Sequence, residues 1–167
     1  MEEELLKKII EQGETTTVEF KSWTKANSMK DRINLVVPEL IAFANSKGGT
    51  VYLGIEDNGD VTGCSGNYDL QNICESIYEK TRPPMFTDIE EIDYQGKKVI
   101  AISVAHDGNT YATSDGRCLR RLGKNSKPYY PDEMSHIYSV TQTPDFSSQI
   151  IAESSVDDIN LMVVYSL

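Results

Sequence analysis

Residues 42–59, AFANSKGGTVYLGIEDNG, constrain the fold more tightly than any other stretch of the chain. An apolar helical run ends at Asn45-Ser46-Lys47-Gly48-Gly49, and a strand starts at once at Thr50. The glycine pair suits a helix C-cap and close packing under the next strand. Asp57-Asn58-Gly59-Asp60 carries residues suited to positive φ, so the strand should end in a tight hairpin turn, with Val61 and Thr62 starting the return strand. A helix that gives way to a strand so abruptly belongs against the sheet which that strand joins.

The flanking patterns extend this unit. Leu5, Leu6, Ile9 and Ile10 form a stripe at helical spacing, with Gly13 as a stop, and residues 18–22 alternate like a short strand. The helix leading to Asn45 carries Leu35, Val36, Leu40, Ile41, Phe43 and Ala44; Pro38 should either kink it or mark its first turn. Leu70, Ile73, Cys74, Ile77 and Tyr78 follow the i, i+3, i+4, i+7, i+8 rule and predict an amphipathic helix over 69–80. Residues 87–94 and 97–105 read as an antiparallel pair turning at Gln95-Gly96. Because residues 99–104 are apolar on both faces, that strand should be central. A short strand near Tyr111, a turn at Asp115-Gly116 and a strand through Leu122 complete the sheet. The expected class is α+β, a mixed, largely antiparallel sheet with packed helices.

At 167 residues the chain suits one domain, placed at 1–140, with 141–167 as an extension or the start of a following region. Pro131-Asp132-Glu133 looks like a helix start, and so does Ser155-Val156-Asp157-Asp158. No apolar run approaches the ~20 residues of a membrane helix. The Met-Glu-Glu-Glu opening has the wrong sign for a secretory or mitochondrial signal, which makes a cytoplasmic protein without a membrane partner the expectation. Cys64, Cys74 and Cys118 form neither a disulfide framework nor a zinc pair; Cys74 should be a small buried side chain, and His106 and His136 surface or loop residues.

Two constellations carry chemistry. If Glu14 and Glu19 lie beside one strand and Asp57 ends its neighbour, three carboxylates converge at one sheet end. Such a cluster needs a positive charge, and Mg²⁺ or Mn²⁺ is the usual answer. A metal so held activates water and stabilises phosphoryl displacement, with Lys21 projecting to the same face toward the scissile phosphate. The plainer alternative leaves Glu19 and Asp57 as solvated strand-end and turn residues. The second constellation is basic. Arg117, Arg120, Arg121, Lys124 and Lys127 fall within eleven residues of a chain whose net charge is −10. That net charge argues against a general nucleic-acid coat protein but not against a local patch. Asn125 and Ser126 can donate to phosphate oxygens, and Tyr129 and Tyr130 can stack on unpaired bases. A charged, solvated edge strand is the alternative. Neither Gly-rich segment matches a phosphate-binding loop of the Walker type, so no ATP site is expected.

GETTTVEFK, then AFANSKGGTVYLGIEDNGDVTG, then LRRLGKNS together resemble the Schlafen AlbA-type domain, over roughly residues 5–134. PDFSSQIIAESSVDDIN is similar to the segment that follows this domain in bacterial helicase-like transcriptional regulators. The resemblance implies a single α+β lobe and a nucleic-acid partner, DNA or structured RNA, in gene regulation. It also implies, from Schlafen-type ribonucleases, a three-carboxylate site whose matching positions are Glu14, Glu19 and Asp57. The chain departs from that group in being shorter and in lacking its zinc-ligand Cys/His set, so a lobe of this size would form a groove as a homodimer. Three readings follow. The first is a nucleic-acid-binding module gripping phosphates with Arg117, Arg120, Arg121, Lys124 and Lys127, helped by Lys21 and Lys47. The second is a metal-dependent nuclease, and the third a ligand-free regulatory or oligomerisation module.

Overall fold

In the computed structural model, residues 2–133 are described, and residues up to Pro128 form one compact unit. Its elements run α1 (Glu2–Gln12), β1 (Val18–Lys21), α2 (Met29–Ala44), β2 (Gly49–Leu53), α3 (Leu70–Glu79), β3 (Thr81–Arg82), β4 (Asp88–Tyr94), β5 (Lys97–Val104), β6 (Ala112–Thr113), β7 (Leu119–Leu122) and β8 (Asn125–Pro128). Tyr129 opens a second unit, in which a helix starts at Pro131 and Glu133 caps the Tyr130 N–H at 3.2 Å. His136, Ser155-Val156-Asp157-Asp158 and the expected boundary at 140 lie outside the described residues.

The main sheet has the order β1-β2-β5-β4, parallel between β1 and β2 and antiparallel elsewhere. The mixed, mostly antiparallel α+β class is the one expected, but the strands near Tyr111 and through Leu122 do not complete this sheet: β6 pairs with β3 and β7 with β8, each as a separate two-stranded sheet. β5 is central, and Val99, Ile100, Ala101 and Ile102 are buried on both faces, as its unbroken apolar run requires. One face carries Val51, Leu53, Ile100 and Ile102 against α2 and α3; the other carries Phe20, Tyr52, Ile92 and Val99 against Leu6 of α1. Each such fully buried side chain contributes roughly 1.5–3 kcal/mol.

Several local expectations are corrected. The return strand at Val61 does not develop, leaving a single bridge between Ile55 and Val61. Both edges of β2 are already taken, by β1 and β5, so no edge was left for it. Pro38 lies inside α2 rather than at its start. The helix begins at Met29 because the Ser28 side chain accepts the Asp31 N–H at 3.1 Å. Asn45, not the glycine pair, caps α2. Gly48 makes the following turn at φ +81°, and Gly49 is already the first residue of β2. Leu5 faces solvent although Leu6, beside it, is buried, and Cys74 is only half-buried.

Candidate functional site

The period of two along β1 puts Glu19 and Lys21 on the face opposite Phe20. Their register partners are Val51 and Leu53, so both point to the α2 side of the sheet. From that side α2 presents Glu39, and β7 presents Arg121. Arg121 Nη2 reaches Glu19 Oε1 at 2.9 Å and donates to the carbonyls of Thr15 (2.9 Å) and Val18 (3.1 Å). Its Nη1 donates to Glu39 Oε1 at 3.2 Å and to the Ser126 hydroxyl at 3.1 Å, and that hydroxyl donates to Glu39 at 2.5 Å. Lys21 Nζ completes the cage, 3.1 Å from Glu39 and 3.7 Å from Glu19. The Arg121 side chain is 1% exposed and that of Glu19 9%.

Residues 42–50 build the seat for this cage. The Phe43 ring lies 4.7 Å beneath the Arg121 guanidinium. The Asn45 amide donates to the carbonyls of Tyr111 and Leu119 and accepts the Tyr111 N–H, while Ser46 Oγ accepts the Arg121 N–H at 2.9 Å. A Cβ on Gly49 would stand 2.6 Å from the Phe43 ring and 2.8 Å from the Thr17 carbonyl. The three sequence motifs therefore meet at one side chain, Arg121.

The charges explain the titration behaviour. Burial first, then the neighbouring Glu39 charge, push the Glu19 carboxyl up to about 7, and these outweigh the opposing bond from Arg121. Glu14, half-buried, is raised by burial and then by the charge of Asp57. Burial tends to lower the Lys21 ammonium, but Glu39 and Glu19 together hold it above its usual value. Glu14, Glu19 and Asp57 thus share one electrostatic neighbourhood. Arg121 and Lys21 supply its positive charge, and Asp57 is exposed at the turn. Among the described residues, no three acidic, His or Cys side chains are grouped to hold a metal ion. With Glu19 committed to Arg121, the carboxylates as they stand do not fit Mg²⁺ or Mn²⁺.

For the basic set, the β7–β8 register decides which cations face out. Arg121 pairs with Ser126 on the inner face, so Arg121 is corrected from a phosphate contact to a buried ion-pair residue. Lys21, held by Glu39, is likewise removed from that role. Arg120 is opposite Lys127 in register but half-buried, with its Nε enclosed, whereas Lys124 at the turn and Lys127 are exposed. Lys47, one residue past the Ser46 contact to β7, is exposed at the same end of the hairpin. Arg117 is exposed in the preceding turn, near Asp115. Arg32 turns inward, 3.9 Å from the Trp23 ring. Sequence reasoning missed Glu39. Its signal was a carboxylate beside Pro38 and Leu40 in a largely apolar helix.

Residues 14–130 match the family described as Schlafen, AlbA_2. The chain belongs to that family. The DIP2311 protein from Corynebacterium diphtheriae has the same fold at a TM-score of 0.63 and 21% identity, over 74% of this chain and 24% of that one. The match thus spans about a quarter of that protein's length. A second similar structure is the N-terminal domain of a protein related to the ATP-dependent DNA helicase RecG from Nitrosomonas europaea. It is 19% identical over 77% of this chain and 92% of that domain, with a TM-score of 0.48. Among the described residues, no helix is long and apolar enough to cross a membrane.

Proposed function

We propose that this AlbA_2 chain is a nucleic-acid-binding module that grips phosphates with the outer face of the β7–β8 hairpin, and that it serves a transcriptional regulator. The observation that carries this reading is the hairpin register. It spends one cation, Arg121, on anchoring the hairpin to β1 and α2, and leaves Lys124 and Lys127 exposed on the hairpin, with Lys47 exposed next to the Ser46 contact to β7. An anchored hairpin holds those cations in place before the ligand arrives, which lowers the ordering cost of binding. Phosphate contacts of this kind position a strand without reading its sequence. Charge reversal at Lys124 and Lys127, both Lys→Glu, should abolish a mobility shift with single-stranded or duplex DNA and with RNA while leaving the circular dichroism spectrum intact. An unchanged shift would overturn the assignment.

One observation favours a nuclease as the second reading: after burial, the Asp57 charge still raises Glu14 although Lys21 and Arg121 oppose it, which keeps Glu14 and Asp57 within electrostatic reach of one another. For it to act, Glu19 would have to exchange Arg121 for a metal.

A further inference from the structure

Pro38 brings no N–H to α2, so the carbonyl of Asn34, four residues earlier, lacks its helical donor. Asn34 and Pro38 form one wall of a cleft of about 140 Å³, and Lys80, Ser114 and Arg117 form the other, with Asp115 beside them. The second wall is fixed by backbone. β3 pairs with β6, the Ser114 N–H donates to the Lys80 carbonyl at 2.9 Å, and the Arg117 N–H donates to the Thr113 hydroxyl at 2.7 Å. Among the described residues Lys80 makes no ion pair, and Arg117 approaches Asp115 only at 3.8 Å. The Thr113 hydroxyl, then the Arg117 charge, hold the Asp115 carboxyl below its usual range, so it stands as an ionised acceptor.

The cleft therefore sets two kinds of recognition side by side: cations for an anionic oxygen, and acceptors for a hydroxyl. Two cations against one carboxylate leave it net positive. Its volume of about 140 Å³, open on one side, admits a phosphate and a sugar hydroxyl together. A carboxylate beside a ribose is a recurrent way to hold its hydroxyl, and the 2′-hydroxyl separates RNA from DNA. Building on the binding reading above, we infer that this cleft takes one ribonucleotide unit of a bound RNA, its phosphate on Lys80 and Arg117 and its 2′-hydroxyl donating to Asp115 or the Asn34 carbonyl.

The test is fluorescence anisotropy of the full chain with RNA and DNA strands of one sequence, about 12 nucleotides long. The wild type should prefer RNA. Lys80→Ala with Arg117→Ala should weaken RNA binding by about tenfold or more, the scale of losing a charge-assisted contact, and DNA binding by less. Asp115→Ala, which removes the side-chain acceptor, should reduce the RNA preference by several-fold; an RNA preference equal to the wild type's would remove Asp115 from this role and, with the double variant also unaffected, overturn the inference. Equal wild-type affinity for RNA and DNA, or RNA binding untouched by the double variant, would overturn this inference alone. Binding of neither strand would overturn the binding reading with it.

Discussion

Replacing Arg121 by Met removes the cation at the centre of the cage while keeping most of its volume. Glu19 and Glu39 would then face one another with Lys21 as the remaining neutralising contact. Breaking a buried ion pair from one side typically costs about 3–5 kcal/mol, a large part of the 5–15 kcal/mol that holds a domain folded. The pH dependence gives a sharper test. The Glu19 carboxyl titrates at about 7 in the folded chain against an ordinary 4.5, so the folded state binds this proton more tightly than the unfolded state. Its contribution to stability is greatest below 4.5, is lost as pH rises toward 7, and levels off above. The full span corresponds to roughly 3 kcal/mol. Without Arg121 the protonated form is favoured further, so the variant should lose most near pH 8 and recover much of the difference near pH 5. Urea unfolding followed by circular dichroism at those two pH values measures both quantities. A loss below ~1 kcal/mol near pH 8, or the same loss at both, would refute the cage as described.

Gly49→Val should destabilise the chain by ~1–3 kcal/mol, because its Cβ would overlap the Phe43 ring and the Thr17 carbonyl. An unchanged melting temperature would show that this junction has room to spare. Burial is the main cause that raises Glu14 and the Asp57 charge the second, so Asp57→Asn, which removes only the latter, should stabilise the metal-free chain slightly. The nuclease reading adds that millimolar Mn²⁺ raises the wild-type melting temperature and that Asp57→Asn abolishes the response. Absence of any Mn²⁺ effect and of cleavage would leave the binding module standing.

Much of the fold was legible because its signals are local. The mostly apolar run at residues 99–104 pointed to a central strand, and the helix over 69–80 and the hairpin at Gln95-Gly96 each follow from spacing within a dozen residues. The missing return strand at Val61 depended on something non-local, the parallel docking of β1 on β2. The site was harder to read for the same reason. Five cations between Arg117 and Lys127 look alike in sequence, and only the β7–β8 register and the carboxylates on β1 and α2 single out Arg121 as the buried one. Lys21 did share a face with Glu19, as the period of two requires. That face carries Glu39 as well, and Glu39 takes the ammonium.

The salt dependence of nucleic-acid affinity tests the central claim most directly. If Lys124 and Lys127 each neutralise a phosphate, changing both to Ala should weaken binding and reduce the slope of log K against log salt by about 1.4–1.8, the release of two counterions. The folded spectrum should be unchanged, because neither side chain enters the cage. A slope equal to the wild type's, with affinity intact, would mean that the outer face of the hairpin is not where this chain meets its ligand.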